Sequence, residues 1–427
     1  MRKTLMIFLA LVLVCGCGAA LAAQALSAPR EEILFQEHIF SGDPAVADGL
    51  TVQLKTGMRY KLNWESTVQF SAQDYRAETS FRFLPAGQAE QPEMSYRGVE
   101  INFYHDAATT GSDDVFGFST AYQSLLDTLS PGESGSMTIR FADYYDEYPF
   151  EFSIDLPGVN YDPLVNWQDT SADSEWLGER AQVALGCFFR IPVLQDEYIE
   201  LGIDKNMDGT GSGRSISCVM EGDRFWMNVE SVITGDTCFF WFGNRTDKDR
   251  LVDTSRIPGG YGVYMLPYGP LAPDAEASAF YGGNTNEVYT DQLTCFFPVD
   301  PETRIEHLGL TPDKTRLLLH TVENNTYYVT LIDCKTGDTL QKLAVSDFEP
   351  EDDYVNITET ADFVCIQQTQ GRICVLTQNA DGLYQLALRS DYSPDDLYSP
   401  VYATVRAMAF DGKRLASASC LLYTSPS

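Results

Sequence analysis

The sequence predicts an all-β protein in two parts, a β-sandwich-like domain followed by an array of repeated four-stranded units. Three observations predict it. Apolar residues alternate with polar ones over short stretches, the spacing of a strand with one buried face. Aromatic residues make up 12% of the chain and accompany runs of Val, Ile and Thr, with Gly, Asp and Asn between them as turn residues. The second half also repeats its own pattern of turn, strand, turn and strand.

The chain opens with Arg2 and Lys3, and residues 5–14 are uninterruptedly apolar. Ten apolar residues after a basic start make the central region of a secretory signal and are too few for a stop-transfer helix. Two processing sites follow, and they predict different fates. Ala23-Gln24-Ala25 has the small-x-small pattern of a signal peptidase site, so cleavage after residue 25 releases a soluble protein. Val14-Cys15-Gly16-Cys17 resembles a bacterial lipobox, which would make Cys17 a lipidated N-terminus. Either way the expected location is extracellular or the outer face of the cytoplasmic membrane, with a lipid on Cys17 as the only membrane contact.

Residues 26–159 are expected to form the sandwich-like domain. Leu50, Val52 and Leu54 alternate with polar neighbours, as do Phe81 and Phe83, Val99, Ile101 and Phe103, Met137, Ile139 and Phe141, and Phe150, Phe152 and Ile154. One short helix is expected at residues 119–129, where Tyr122, Leu125, Leu126 and Leu129 share a face. The stretch from Asp143 to Pro149 carries Tyr144, Tyr145 and Tyr148 among three carboxylates. Tyrosine supplies contact area at low entropic cost, so these three are the candidate binding surface; the competing reading packs them over a sheet end. Residues 160–180, rich in Asp, Ser and Trp, read as a linker.

Residues 181–419 carry the repeats. Thr311-Pro312-Asp313 leads into Leu317-Leu318-Leu319, Thr360-Ala361-Asp362 into Phe363-Val364-Cys365-Ile366, and Phe410-Asp411-Gly412 into Leu415-Ala416-Ser417. Leu317, Phe363 and Leu415 are then equivalent, at steps of 46 and 52 residues. Hairpins over 327–345 and 372–388 complete four strands per unit, the arithmetic of a β-propeller blade. The turn at Asp333, Thr336 and Gly337, with the Asp-Gly turn before Arg414-Leu415-Ala416, resembles β-propeller repeats of the broad WD40 and YVTN type. The likeness covers residues 304–419, and a weaker version extends over 215–266. It implies a truncated propeller of about three blades and a fragment, against the four to eight of closed propellers. Residues 420–427, CLLYTSPS, resemble a translated sequencing adapter and are expected to be an artefact.

A formal charge of −32 repels phosphate backbones, so nucleic acid is not an expected partner. Cys187, Cys218, Cys238, Cys295, Cys334, Cys365 and Cys374 lie in the body of the chain without a CxxC pair. They read as small buried strand residues, with a disulfide between two of them left open. Asp204, Asn206, Asp208, Thr210 and Ser212 place oxygen ligands at alternating positions around Gly209, the requirement of a calcium loop. Ser215 stands where a bidentate Glu would complete an EF-hand, so a plain Gly-rich hairpin competes with Ca2+ as the only candidate cofactor.

Catalytic residues are not assigned. His38, His105, His307 and His320 are the four histidines and none has HExxH spacing, and no G-x-S-x-G elbow occurs. The expectation is an exported bacterial protein acting as a non-catalytic binding platform for a protein or carbohydrate ligand. The alternative is an extracellular propeller enzyme, a hydrolase or dehydrogenase, whose residues lie on central-channel loops or in missing blades.

Overall fold

The computed structural model describes residues 43–58, 62–72, 74–83, 96–103, 119–148, 150–161, 185–186, 188–211, 218–221, 225–226, 228–243, 245–246, 253–271, 285–349, 355–368, 372–391 and 405–419, with Cys15, Cys17, Gly18 and Leu21. The chain divides into two compact units, residues 1–95 and 96–427. In the first, strands β1 (Thr51–Met58), β2 (Leu62–Phe70) and β3 (Tyr75–Phe83) form an antiparallel meander. Val68 and Ser66 are its buried residues, and Ser66 hydrogen-bonds Thr79 across the strands at 3.0 Å.

The second unit begins with β4 (Gly98–Phe103), helix α1 (Ser119–Thr128), β5 (Ser134–Arg140), β6 (Phe150–Leu156), β7 (Val159–Tyr161), β8 (Tyr198–Asp204) and β9 (Cys218–Glu221). Two three-stranded sheets result, β4-β6-β7 and β5-β8-β9. Next come β10 (Phe225–Trp226), β11 (Val229–Thr234), β12 (Thr237–Phe242), β13 (Arg245–Thr246), β14 (Gly262–Pro270), β15 (Asn286–Val288) and β16 (Thr294–Pro298). All but β10 and β13, which pair together, join one sheet led by β11 and β12. Two regular meanders follow. The first runs β17 (Arg304–Leu310), β18 (Arg316–Glu323), β19 (Thr326–Asp333) and β20 (Thr339–Asp347); the second runs β21 (Val355–Glu359), β22 (Phe363–Gln368), β23 (Arg372–Gln378) and β24 (Tyr384–Asp391). A hairpin, β25 (Val405–Phe410) and β26 (Leu415–Ser419), ends the described chain.

Successive side chains of a strand point to opposite faces, and here both faces are buried. On β12, Cys238, Phe240 and Phe242 enter a core shared with Val99, Phe152 and Ile154, whereas Phe239 and Trp241 enter one shared with Ile305, Leu317 and Leu319. On β18, Leu318 and Val322 face the opposite way, onto Val364 and Ile366 of β22. Phe363 and Cys365 of β22 in turn pack against Met408, Phe410 and Leu415. The sheets therefore stack face to face in chain order, as propeller blades do. Burying a Leu or Phe side chain contributes about 1.5–3 kcal/mol over leaving it exposed, so doubly covered strands read as continuous apolar runs.

Val99, Phe152, Ile154 and Val159 share a core with Phe240 and Tyr264 within the second unit. Alternation identifies a strand with a buried face but not the sheet that covers it. The expected helix is α1, with Leu126 buried and Leu125 and Leu129 half-buried against the same core. Cys238, Cys295, Cys334 and Cys365 are free thiols; burial pushes Cys238 and Cys365 up to about 12, which keeps them protonated and unreactive. The side chains of Cys187 and Cys218, the linker beyond residue 161 and residues 420–427 lie outside the described residues. Among the described residues no helix is long and apolar enough to cross a membrane.

Candidate functional site

Strands β11, β17 and β21 are each the first, edge strand of a sheet, and each lies beside the next. At this shared edge the chain brings together two histidines and two carboxylates, of which His320 is fully buried and the others are partly exposed. Glu230 comes from β11, His307 from β17 and Glu359 from β21, while His320 on β18 sits opposite His307 in the antiparallel register. A register shift between Ile305 and His307 brings the two rings together, with centroids 5.3 Å apart at 67°.

Glu230 Oε2 accepts from His307 Nδ1 at 3.0 Å, from the Leu308 backbone N–H at 2.9 Å and from the Trp241 indole N–H at 3.2 Å. On the far side of the ring, His307 Nε2 stands 3.5 Å from Glu359 Oε1, and His320 Nε2 3.8 Å from the same oxygen. His320 Nδ1 bonds the Tyr327 hydroxyl at 3.0 Å. The His320 Nε2 and Glu359 Oε1 atoms are buried and have no hydrogen-bond partner among the described residues. Gly309 makes room for this carboxylate: a Cβ built there would overlap Glu359.

The charges follow from these contacts. Burial opposes a proton on His307, but hydrogen bonds and attraction from Glu230 and Glu359 outweigh it and raise its pKa to about 9. Burial likewise opposes charge on Glu359, yet His307 and His320 hold it down to about 2; Glu230 is lowered against the same opposition, chiefly by His307. Full burial and the neighbouring imidazolium lower His320, which is therefore neutral. The result is an imidazolium between two carboxylates, crossing three sheets. His307 keeps 25% and Glu359 24% of their side-chain surface exposed, so the cluster reaches solvent at its edge.

The residues singled out from sequence lie elsewhere. In the 204–211 loop, Asp208 Oδ1 accepts from the Thr210 N–H at 2.9 Å and its hydroxyl at 2.5 Å, and Asn206 Nδ2 donates to Thr210 Oγ1 at 3.1 Å. These oxygens close a hairpin, with Lys205 bridged to Gly211 and its ammonium capping the end of α1 at the Leu126 and Leu129 carbonyls. Asp204 ends β8, and Ser212 lies outside the described residues. Among the described residues no group of three or more His, Cys, Asp or Glu is arranged to hold a metal ion.

Of the tyrosines, Tyr144 is exposed and Tyr145 half-buried. Tyr148, at 3% exposure, is removed from the proposed surface: its hydroxyl donates to the buried Glu197 at 2.5 Å and accepts from the Leu194 N–H at 3.2 Å. The strand alternation around it runs into a buried polar pair that a Tyr-rich loop does not announce. Cys17 is exposed. His307 and His320 have no local motif spacing, and nothing in the sequence singles out Glu230 or Glu359.

No family model and no curated protein matches this chain. Solved structures similar to it include the β-propeller domain of Cps50 (Swd1) from Myceliophteria thermophila, at 9% identity and a TM-score of 0.26 over 53% of this chain. The chain spans 62% of that domain. A putative 6-phosphogluconolactonase from Bacteroides uniformis is similar at 11% identity and a TM-score of 0.24, over 80% of this chain and 82% of that one. The periplasmic gluconolactonase of Pseudomonas aeruginosa is similar at 10% identity and a TM-score of 0.23, over 47% of this chain and 68% of that one.

Proposed function

We propose that this is an exported, non-catalytic binding module whose stacked sheets present loops to a protein or carbohydrate ligand. The observation that supports it is the use made of the acid–base residues at the inner edge. Glu230 spends one oxygen on three donors, His307 is clasped between two carboxylates, and His320 is fully buried on Tyr327. Glu230 and His307 are committed to each other and the unpartnered His320 Nε2 and Glu359 Oε1 are buried, whereas a general base needs a free lone pair within reach of a substrate proton. Export supplies the address: the leader of residues 1–25 delivers the module outside the cell, with or without a lipid on Cys17.

The enzyme reading draws on the same edge, because His307 and Glu359 keep part of their surface open. One experiment separates the two. The purified chain is screened for turnover of ester, lactone and glycoside substrates and for binding to immobilised glycans and cell-envelope proteins. Binding without turnover is expected. Turnover abolished by both His307→Ala and Glu359→Gln overturns the binding-module reading. Fractionation with mass spectrometry of the mature N-terminus tests export, and a chain that keeps Met1 and stays in the cytoplasmic fraction counts against it.

A further inference from the structure

The inner edge carries more than cohesion. A proton sits on His307 between Glu230 of the preceding sheet and Glu359 of the following one, and no second cation shares the position. Among the described residues, every other charged or titratable group facing the cluster is either committed elsewhere or neutral. On β17 itself, Arg304 is ion-paired with Glu306. From β18, His320 is uncharged. From β19, β23 and β24 come Tyr327, Cys374 and Tyr384; burial holds both phenols protonated, Tyr384 up to about 12. From β12, Trp241 offers only its neutral indole N–H. Removing the His307 proton therefore leaves two carboxylates facing one neutral ring, with nothing in the contact shell to replace the lost charge.

Geometry makes that loss local. The three groups stand on the edge strands of three successive sheets; the apolar cores that join these sheets draw Ile305 and Leu308 from β17 but take most of their buried residues from the strands behind the edge. Two atoms here are already buried without partners, His320 Nε2 and Glu359 Oε1, so loss of the bridge adds to polar groups that are already unsatisfied. We propose that this edge is a proton-operated lock, closed while His307 bridges the two carboxylates and released along β11, β17 and β21 when the bridge loses its proton.

The sign is fixed by linkage. A histidine whose proton is held more tightly in the folded chain stabilises it fully below the ordinary imidazole pKa, and that contribution disappears as pH rises through the folded value. The lock is thus closed at neutral pH and opens in alkali.

The test compares the full chain with His307→Gln and Glu230→Gln at pH 7 and pH 10. The wild type is expected to lose about 5 °C more in Tm between the two pH values than His307→Gln loses. Glu230→Gln, which leaves one carboxylate instead of two, is expected to fall between them. Amide exchange locates the change: protection of residues 304–310 and 355–359 drops about tenfold at pH 10 in the wild type, while β20 keeps its protection. Equal alkaline losses in all three proteins, or a loss of protection as large in β20 as at the edge, overturn the lock. Should His307→Gln fail to fold, the comparison with Glu230→Gln and the exchange pattern of the wild type still decide it.

Discussion

Gly309 is required by its neighbour rather than by its own backbone. The Glu359 carboxylate occupies the space a Cβ would fill, so Gly309→Ala forces the carboxylate away from His307 and His320. Overpacking of this kind costs about 1–3 kcal/mol, and urea denaturation at pH 7 should read a loss of that size. A loss within experimental error would mean that Glu359 is free to swing out. Glu359 also sets the acid limb of stability. Its carboxyl is held down to about 2, below its ordinary 4.5, so it favours the folded chain above pH 4.5 and loses that effect as pH falls toward 2. Denaturation midpoints measured from pH 5 to pH 3 should fall less steeply in Glu359→Gln than in the wild type. None of this was legible in the sequence. Glu230, His307 and Glu359 come from three different repeats, and only sheet stacking and a one-residue register shift bring them together.

The turns, by contrast, could be read directly, because their chemistry is local. Asp333 Oδ1 accepts the N–H groups of Lys335 and Thr336, and Gly337 takes φ of +74° to close the turn, a conformation glycine adopts without penalty. Asn379 and Asp411 do the same for the hairpins that follow. The equivalence of Thr311 and Thr360 proposed from sequence has a structural meaning: each hydroxyl bonds a backbone carbonyl across the same turn, that of Arg316 or Phe363. Thr311 is the more buried and its hydroxyl also meets Asp313 at 2.6 Å. Thr311→Val keeps the shape but removes these side-chain bonds, each worth about 0.5–1.5 kcal/mol net. Thermal melting should show the loss. Thr360→Ser, which retains the hydroxyl, should melt close to the wild type. The 204–211 loop illustrates the limit of such reading: the same alternation of oxygens suits a cation and a self-bonded hairpin, and the bonds of Asp208 and Thr210 serve the hairpin.

At the scale of the whole molecule, the stack makes neighbouring residues of one strand belong to different interfaces. Leu318 packs with Val364 between the two four-stranded meanders, β17–β20 and β21–β24, whereas Leu319 packs toward Phe239 and Trp241 on the other side. Parity was visible in the Leu317-Leu318-Leu319 run, but which sheet lies on which side was not. Double-mutant cycles convert the arrangement into a measurement. Leu318→Ala and Leu319→Ala should each destabilise by about 2–5 kcal/mol, since both side chains are fully enclosed. Combined with Val364→Ala, Leu318→Ala should depart from additivity by about 0.5 kcal/mol or more, because the two share a cavity. Leu319→Ala with Val364→Ala should add to within about 0.3–0.5 kcal/mol, because a sheet separates them. Coupling of the same size in both cycles would mean that the strands do not divide their side chains between two cores, and the blade-like stack would have to be abandoned.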